Sequence, residues 1–263
     1  GGRLQESAAS IIMTVMFCAR LARNDLLRPV GHLATYLHKW TEECDRRLLR
    51  MMSYINCSKE DRTIGFVGDT MDELWLGLFA DADFAGDKAD CRSTGGGFLA
   101  LMGPNTFFPL GGISKKHGCV SHSTVEAEIV SLNTALRTLG IPSLDLWELI
   151  LGRPVKLVVY EDNQATARIV ETGKFAAMCH VKRTHGVQLS FLTEQLKRKT
   201  YELRDCHTKA MAADIFTKFF TDSVKWAHAI RLIGVCKPRD VDAVVASGAG
   251  NSAAAIPLVP ESP

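Results

Sequence analysis

The chain has 263 residues, enough for one sizeable domain and a smaller unit. Apolar residues make up 46% and charged residues 23%, which excludes a wholly disordered chain, while a net charge of +2 neither identifies nor excludes a polyanion binder. The eight cysteines are scattered without a C-x-x-C pair, so no zinc ribbon or finger is expected, and reduced thiols in an intracellular protein are.

The sequence opens Gly-Gly-Arg and reads as a piece of a longer polypeptide. Residues 8 to about 58 read as helical, punctuated by Pro29 and Gly31. The apolar stretch from Ala8 to Ala19 is too short to span a bilayer and is followed by Arg20 and Arg23, so no membrane association is expected. Thr41 is placed to cap a helix whose first turn carries Glu42 and Glu43. Leu48, Leu49, Met52 and Ile55 give that helix an apolar face.

The pattern changes near residue 70. Leu74–Ala82, Thr94–Met102 and Thr106–Ser114 read as strands, the last two joined by the Gly103-Pro104-Asn105 turn. Ser121–Leu139 reads as a helix. Val155–Glu161, between Pro154 and Asp162, reads as a strand buried on both faces. Asn163–Glu171 and Val181–Lys197 read as helices, Thr200–Asp205 as a strand and Lys209–Phe219 as a closing helix. From about residue 244 the chain is rich in Ala, Ser, Gly and Pro, and a disordered tail is expected. The sum is an α/β fold: a mixed five-stranded sheet flanked by helices and preceded by a small helical segment.

Four acidic positions stand where such a fold could gather them. Asp81 and Asp83 share one face of the first strand with Trp75, Gly77 and Phe79, and a carboxylate ending an apolar strand face needs a reason. From the residues alone either acid could serve, or both could be solvated at a strand end. In the helix, Glu128 falls within the stripe of Val125, Leu132, Ala135 and Leu139, whereas Glu126 is turned towards the opposite side. Asp162 ends the buried strand, where ligand sites gather in α/β sheets, although Asp and Asn also suit a helix N-cap there. Asp214 sits among Met211, Ile215 and Phe219, and by itself reads as a solvated acid.

The set is more specific than its members. Asp81-Ala82-Asp83-Phe84-Ala85-Gly86-Asp87, Arg92-Ser93-Thr94-Gly95-Gly96, Ile113-Ser114-Lys115-Lys116, Ser123-Thr124-Val125-Glu126-Ala127-Glu128, Glu161-Asp162-Asn163-Gln164-Ala165 and Ala213-Asp214-Ile215-Phe216-Thr217-Lys218 occur in this order. Together they resemble the RNase H domain of copia-type retrotransposon Pol polyproteins over about residues 74 to 219. The resemblance implies a helical connection segment from the end of a reverse transcriptase over residues 1–69, a nuclease domain over 70–220 and a C-terminal extension over 221–263. It implies Asp81, Glu128, Asp162 and Asp214 as catalytic metal ligands, with Asp81 chosen over Asp83. It also implies an endoribonuclease that cuts the RNA strand of RNA–DNA hybrids beside the polymerase domain of its polyprotein.

Such a site would use two Mg2+ ions, which Mn2+ can replace, held ~4 Å apart by hard carboxylate oxygens. Without metal, four neighbouring acids repel one another, so metal should raise stability. Lys115, Lys116, Lys182 and Arg183 are the foremost candidates for phosphate contacts, with Lys197, Arg198 and Lys199 behind them. His185 and His207 are weaker candidates for roles near the site. Three departures stand out: Val125 lies between Thr124 and the first Glu, Lys182-Arg183-Thr184-His185 matches only in part, and Phe219 stands where the family has Pro. The alternative reading is a catalytically decayed retrotransposon-derived module that binds nucleic acid or serves assembly. An integrase-like recombinase fits less well, because its last acid is normally a Glu on a late helix.

Overall fold

The computed structural model describes residues 1–87, 90–174, 181–187 and 189–241, with only the backbone of Val181 and Lys182. The tail expected from about residue 244, and the Lys182 side chain, lie outside the described residues.

Three helices open the chain: α1 (Gln5–Leu21), α2 (Leu27–Ala34) and α3 (Glu42–Cys57). Pro29 and Gly31 lie inside α2 rather than between helices. Pro29 is in the first turn, where a missing backbone N–H costs no intrahelical bond. Thr41 caps α3 as expected, its side chain accepting from the Cys44 amide. The buried stripe of α3 is Cys44, Leu48 and Met51, while Leu49 and Met52 are exposed. The expected face was therefore off by about one residue, because both sides of this stripe carry apolar side chains.

The central sheet is built from β2 (Trp75–Asp83), β3 (Thr94–Gly103), β4 (Thr106–Lys116), β5 (Leu157–Glu161) and β6 (Glu202–Asp205). Its order is β4-β3-β2-β5-β6. β2, β3 and β4 are successive antiparallel neighbours, and β5 and β6 run parallel to β2. β5 is buried throughout, as its apolar run required. A separate two-residue ribbon pairs β1 (Arg62–Thr63) with β7 (Val235–Cys236), tying the segment after α3 to the end of the described chain. No local pattern announces such a pairing.

Each sheet face carries a core. One is covered by α4 (Thr124–Ala135), α6 (Gln164–Thr172) and α8 (Leu189–Lys197), packed on Leu76, Leu78, Leu99, Leu157 and Val159. The other is covered by α1 to α3 and by α9 (Ser223–Leu232), packed around Phe79, Phe98, Tyr160 and Phe216.

Three elements differ from the sequence reading. Val181–Lys197 is two helices, α7 (Val181–His185) and α8. α4 runs through a wider turn, Leu136–Gly140, into α5 (Ile141–Leu151), where Pro142 occupies the first turn and does not break the helix. The closing helix expected over Lys209–Phe219 is two short 3-10 turns, Thr208–Ala210 and Ala212–Phe216. Met211 and Ile215 are buried there as expected, but Phe219 lies past the last turn and is exposed.

Why the last acidic segment can reach the sheet is written in β3. Gly96 pairs with Asp81, and a Cβ on it would stand 2.9 Å from the Ala213 carbonyl oxygen and from the Phe216 Cβ. Gly95, facing the other way, would meet the Ser131 hydroxyl of α4 at 2.8 Å. Two adjacent glycines thus let the 212–217 segment and α4 approach β3 from opposite faces.

Candidate active site

Asp81 lies on β2 two residues from its end, 3% exposed. The Thr217 hydroxyl donates to its Oδ2, and the Lys218 ammonium lies 3.6 Å from its Oδ1. Its backbone is held as well, because the Ser131 hydroxyl donates to the carbonyls of both Asp81 and Gly96. Asp83 is only half-buried, with its charge answered by Arg28 and Lys218. The two acids that the residues left undecided are thus distinguished by burial and by Thr217.

Glu128 projects from α4 and is 4% exposed, and its Oε2 has no hydrogen-bond partner. Burial, then the charges of Asp81, Glu161 and Asp162, push its carboxyl up to about 10. Asp162 follows β5 directly and is half-buried. Its charge acts on Asp81, Glu128 and Asp214. Asp214 sits in the second 3-10 turn, and burial, then Asp81, push it up to about 7 against the pull of Lys218. All four predicted acids therefore share one electrostatic neighbourhood at the ends of β2 and β5.

The sequence reading missed a fifth acid. Glu161 is 1% exposed, one oxygen accepts from the Asn163 amide, and the other has no partner. Burial raises its carboxyl well above the ordinary range, and Asp162 and Asp81 add to the shift. Alternation along β5 could have revealed it: Glu161 shares the parity of Leu157 and Val159, which face α4.

Lys218 was also missed. Its ammonium lies 2.6 Å from Asp214 Oδ1, at the i,i+4 spacing at which acid and base pair. The segment is braced from α2, where buried Arg28 donates to the Thr217 carbonyl at 2.9 Å and stacks on the Phe219 ring at 4.2 Å. Phe219, the departure from the family pattern, also meets the His32 ring edge-on.

Glu126 is not solvated. It is 1% exposed, its Oε2 accepts from the His122 amide, and its Oε1 lies 3.0 Å from His185 Nε2. His185 of α7 lies against this side of α4, which periodicity within a single helix cannot reveal. His207 caps the Thr208–Ala210 turn, its Nδ1 accepting from the Lys209 amide.

The basic candidates divide. Lys116 is tied to Asp87 and Asp90 at 2.5 and 2.8 Å. Lys115 and Arg183 are exposed. Lys115 borders a pocket of about 270 Å³ shared with Arg137, His117 and His185. Buried His117 has no partner at either ring nitrogen, and burial, then His185 and Lys115, push it down to about 4.

Hard carboxylate oxygens, two of them buried without a partner, suit Mg2+ or Mn2+ in their chemistry. Yet among the described residues no group of three or more His, Cys, Asp or Glu is already arranged to hold a metal ion. A cation is present in their midst instead, the Lys218 ammonium.

The mixed five-stranded sheet with flanking helices and strand-end acids is the RNase H-like class of fold. Over most of its length the chain is homologous to retrovirus-related Pol polyproteins of copia-type plant transposons. It is 30% identical over 198 residues to the Pol polyprotein from transposon RE1 of Arabidopsis thaliana, covering 74% of this chain and 13% of the relative. It is 30% identical over 217 residues to that from transposon RE2 of the same plant, covering 82% of this chain and 14% of the relative. The chain thus spans about one seventh of the length of these relatives. No family model matches it. Among solved structures it is similar to LC11-RNase H1 isolated from compost, with a TM-score of 0.39 and 14% identity, over 54% of this chain and 92% of that one. It is also similar to a foamy viral protease-reverse transcriptase, with a TM-score of 0.34 and 13% identity, over 57% of this chain and 96% of that one.

Proposed function

We propose that this chain is a nuclease segment of a retrotransposon Pol polyprotein that hydrolyses the RNA strand of RNA–DNA hybrids with divalent metal. The observation that carries the reading is the buried, under-satisfied carboxylate cluster, with Glu128 pushed up to about 10 by burial and then by its acidic neighbours. Burying like charges together is costly unless a cation joins them. Asp81, Glu128, Asp162 and Asp214 would hold Mg2+ or Mn2+, with Glu161 behind them. Bound divalent metal supplies an activated water and charge stabilisation for an in-line displacement at phosphorus.

The chain's own residues do the positioning. Thr217 and Ser131 fix Asp81, and Arg28 fixes the Thr217 backbone. The arrangement can hold one phosphodiester against the ends of β2 and β5. Exposed Lys115 and Arg183 serve as contacts to flanking phosphates, whereas Lys116 is engaged by Asp87 and Asp90. The polymerase domain of the same polyprotein is the proposed partner. Among the described residues no helix is long and apolar enough to cross a membrane.

The test is cleavage of end-labelled RNA–DNA hybrid in Mg2+. The expected products carry 3′-hydroxyl and 5′-phosphate ends, and Asp162→Asn should slow cleavage on the order of 10²-fold. Hybrid binding without cleavage in either metal would favour the decayed binding module. Equal rates for parent and Asp162→Asn would show the site to be elsewhere.

A further inference from the structure

The cluster's positive charge comes from the same short segment that supplies its last acid. Between Asp214 and Lys218 the chain turns so that three side chains converge on β2: the Asp214 carboxylate, the Thr217 hydroxyl and the Lys218 ammonium. Lys218 Nζ is 2.6 Å from Asp214 Oδ1 and 3.6 Å from Asp81 Oδ1. Its charge is also felt by Glu128 and Asp83. Asp81 and Asp214 are 4% and 19% exposed at the side chain, but Lys218 is 38% exposed. The ammonium therefore enters from the solvent side on a flexible stem, while the carboxylates it joins are fixed by the fold.

We propose that Lys218 is a built-in counter-ion that occupies the cation position between Asp81 and Asp214 in the metal-free protein and must swing out to solvent when a divalent ion binds. The inference rests on the metal-dependent reading given above. Lys218 is a positioning residue here: it holds two carboxylates together without metal, and it sets how tightly metal binds.

Two observations support this reading. The first is that the cluster is acidic and buried, yet among the described residues no three ligand-type side chains are arranged to hold a metal ion. The ammonium pairs with Asp214 and Asp81, whereas Glu128 Oε2 and Glu161 Oε2 have no partner. The second is the fixity of the neighbours. Thr217 is held by Arg28 and by its own bond to Asp81, so the backbone beside Lys218 stays in place when the side chain leaves. Displacement then costs the ion pairs to Asp214 and Asp81 and one rotamer change, and it releases a cation beside the place where a phosphate would arrive.

The consequence is competition. Lys218 and the metal cannot both neutralise Asp81 and Asp214 at contact distance. Removing the ammonium should therefore strengthen metal binding about tenfold, since a unit charge within ~4 Å shifts a neighbouring equilibrium by a factor of ten or more. Loss of a conventional stabilising residue would weaken binding or leave it unchanged.

The experiment is calorimetric titration of the full chain with Mn2+, without nucleic acid and at fixed salt, for the parent, Lys218→Met, Lys218→Arg and Asp162→Asn. The inference predicts about tenfold tighter Mn2+ binding for Lys218→Met and parent-like binding for Lys218→Arg. Equal affinity in parent and Lys218→Met, with Asp162→Asn weakened, would overturn the counter-ion role and leave the metal site standing. No saturable Mn2+ binding in any of the four would overturn the metal-dependent reading and this inference with it. Should Lys218→Met fail to fold, the parent supplies the second measurement. On titration with Mg2+, the NMR signal of the Lys218 methylene next to the ammonium should move to the position of a solvent-exposed lysine, and a signal that does not move would refute displacement.

Discussion

Two buried acidic centres in this molecule are built on opposite principles. In the helical segment, Asp25 is fully buried and completely answered: Arg23 binds it through two nitrogens at 2.8 and 2.9 Å, and the Tyr54 hydroxyl donates to it at 2.7 Å. Arg23 in turn reaches the Ser58 carbonyl and hydroxyl, so the network closes on itself. At the ends of β2 and β5, Glu128 and Glu161 are as deeply buried, but each keeps an oxygen without a partner and each is pushed towards its protonated form. A buried charge kept for structure is paired, because an unpaired one costs several kcal/mol. A buried cluster left under-satisfied is maintained at a cost in stability, which is the feature on which the proposed metal-dependent function rests.

The sharpest way to break the comparison is to unpair the satisfied centre. Asp25→Ala leaves Arg23 and Tyr54 without their acceptor and should cost about 3 kcal/mol in urea denaturation. Hybrid cleavage by the molecules that remain folded should change little. Glu128→Gln should do the reverse. Cleavage should fall on the order of 10²-fold, while metal-free stability at pH 7 stays close to that of the parent, because the parent's Glu128 already carries its proton there.

The protonation difference also gives a slope. In the unfolded chain Glu128 ionises near the ordinary carboxylate pKa, whereas in the folded metal-free protein it ionises at about 10. Between these values the folded state binds the extra proton, so stability falls as pH rises. Below about pH 6.5 the half-buried His32 and buried His117, both pushed down to about 4, work in the opposite direction. The clean window is therefore pH 7 to 9. There the metal-free protein should lose up to about 1 kcal/mol per pH unit from Glu128 alone, with Glu161 adding to the loss. Melting curves in EDTA would measure it, and Glu128→Gln or saturating Mg2+ should flatten the slope. The smallest effect expected is at the brace. Phe219→Ala removes the ring that Arg28 stacks on and should cost about 1 kcal/mol, visible as a small shift in the denaturation midpoint.

Part of the candidate site was legible in the sequence because some of its signals are local. Asp81 ends an apolar strand face, Glu128 lies in an apolar helical stripe, and Asp162 terminates a buried strand; each signal is a period of two or of 3.6 read over a few residues. The Gly95-Gly96 pair was legible as a motif. Its purpose, allowing α4 and the 212–217 segment to approach β3 from opposite faces, emerges only from the packing.

What the sequence by itself determined is the mixed α/β architecture and the kinship with copia-type Pol polyproteins; it offered four acids as candidates, with Asp81 over Asp83 and Asp214 resting on that resemblance. Only the tertiary structure decided which charges meet across the chain. Asp81 and Lys218 are 137 residues apart, Arg28 and Thr217 are 189 apart, and the β1–β7 ribbon joins residues 62 and 236. It also decided that Glu126 is buried against His185 and that Glu161 stands behind the site. The physical reason is that burial and charge pairing depend on distance in space. A periodic pattern fixes the face on which a side chain lies, but not what the fold brings against that face. The four acids that the sequence offered as a metal site thus acquire from the fold a fifth carboxylate and a resident ammonium.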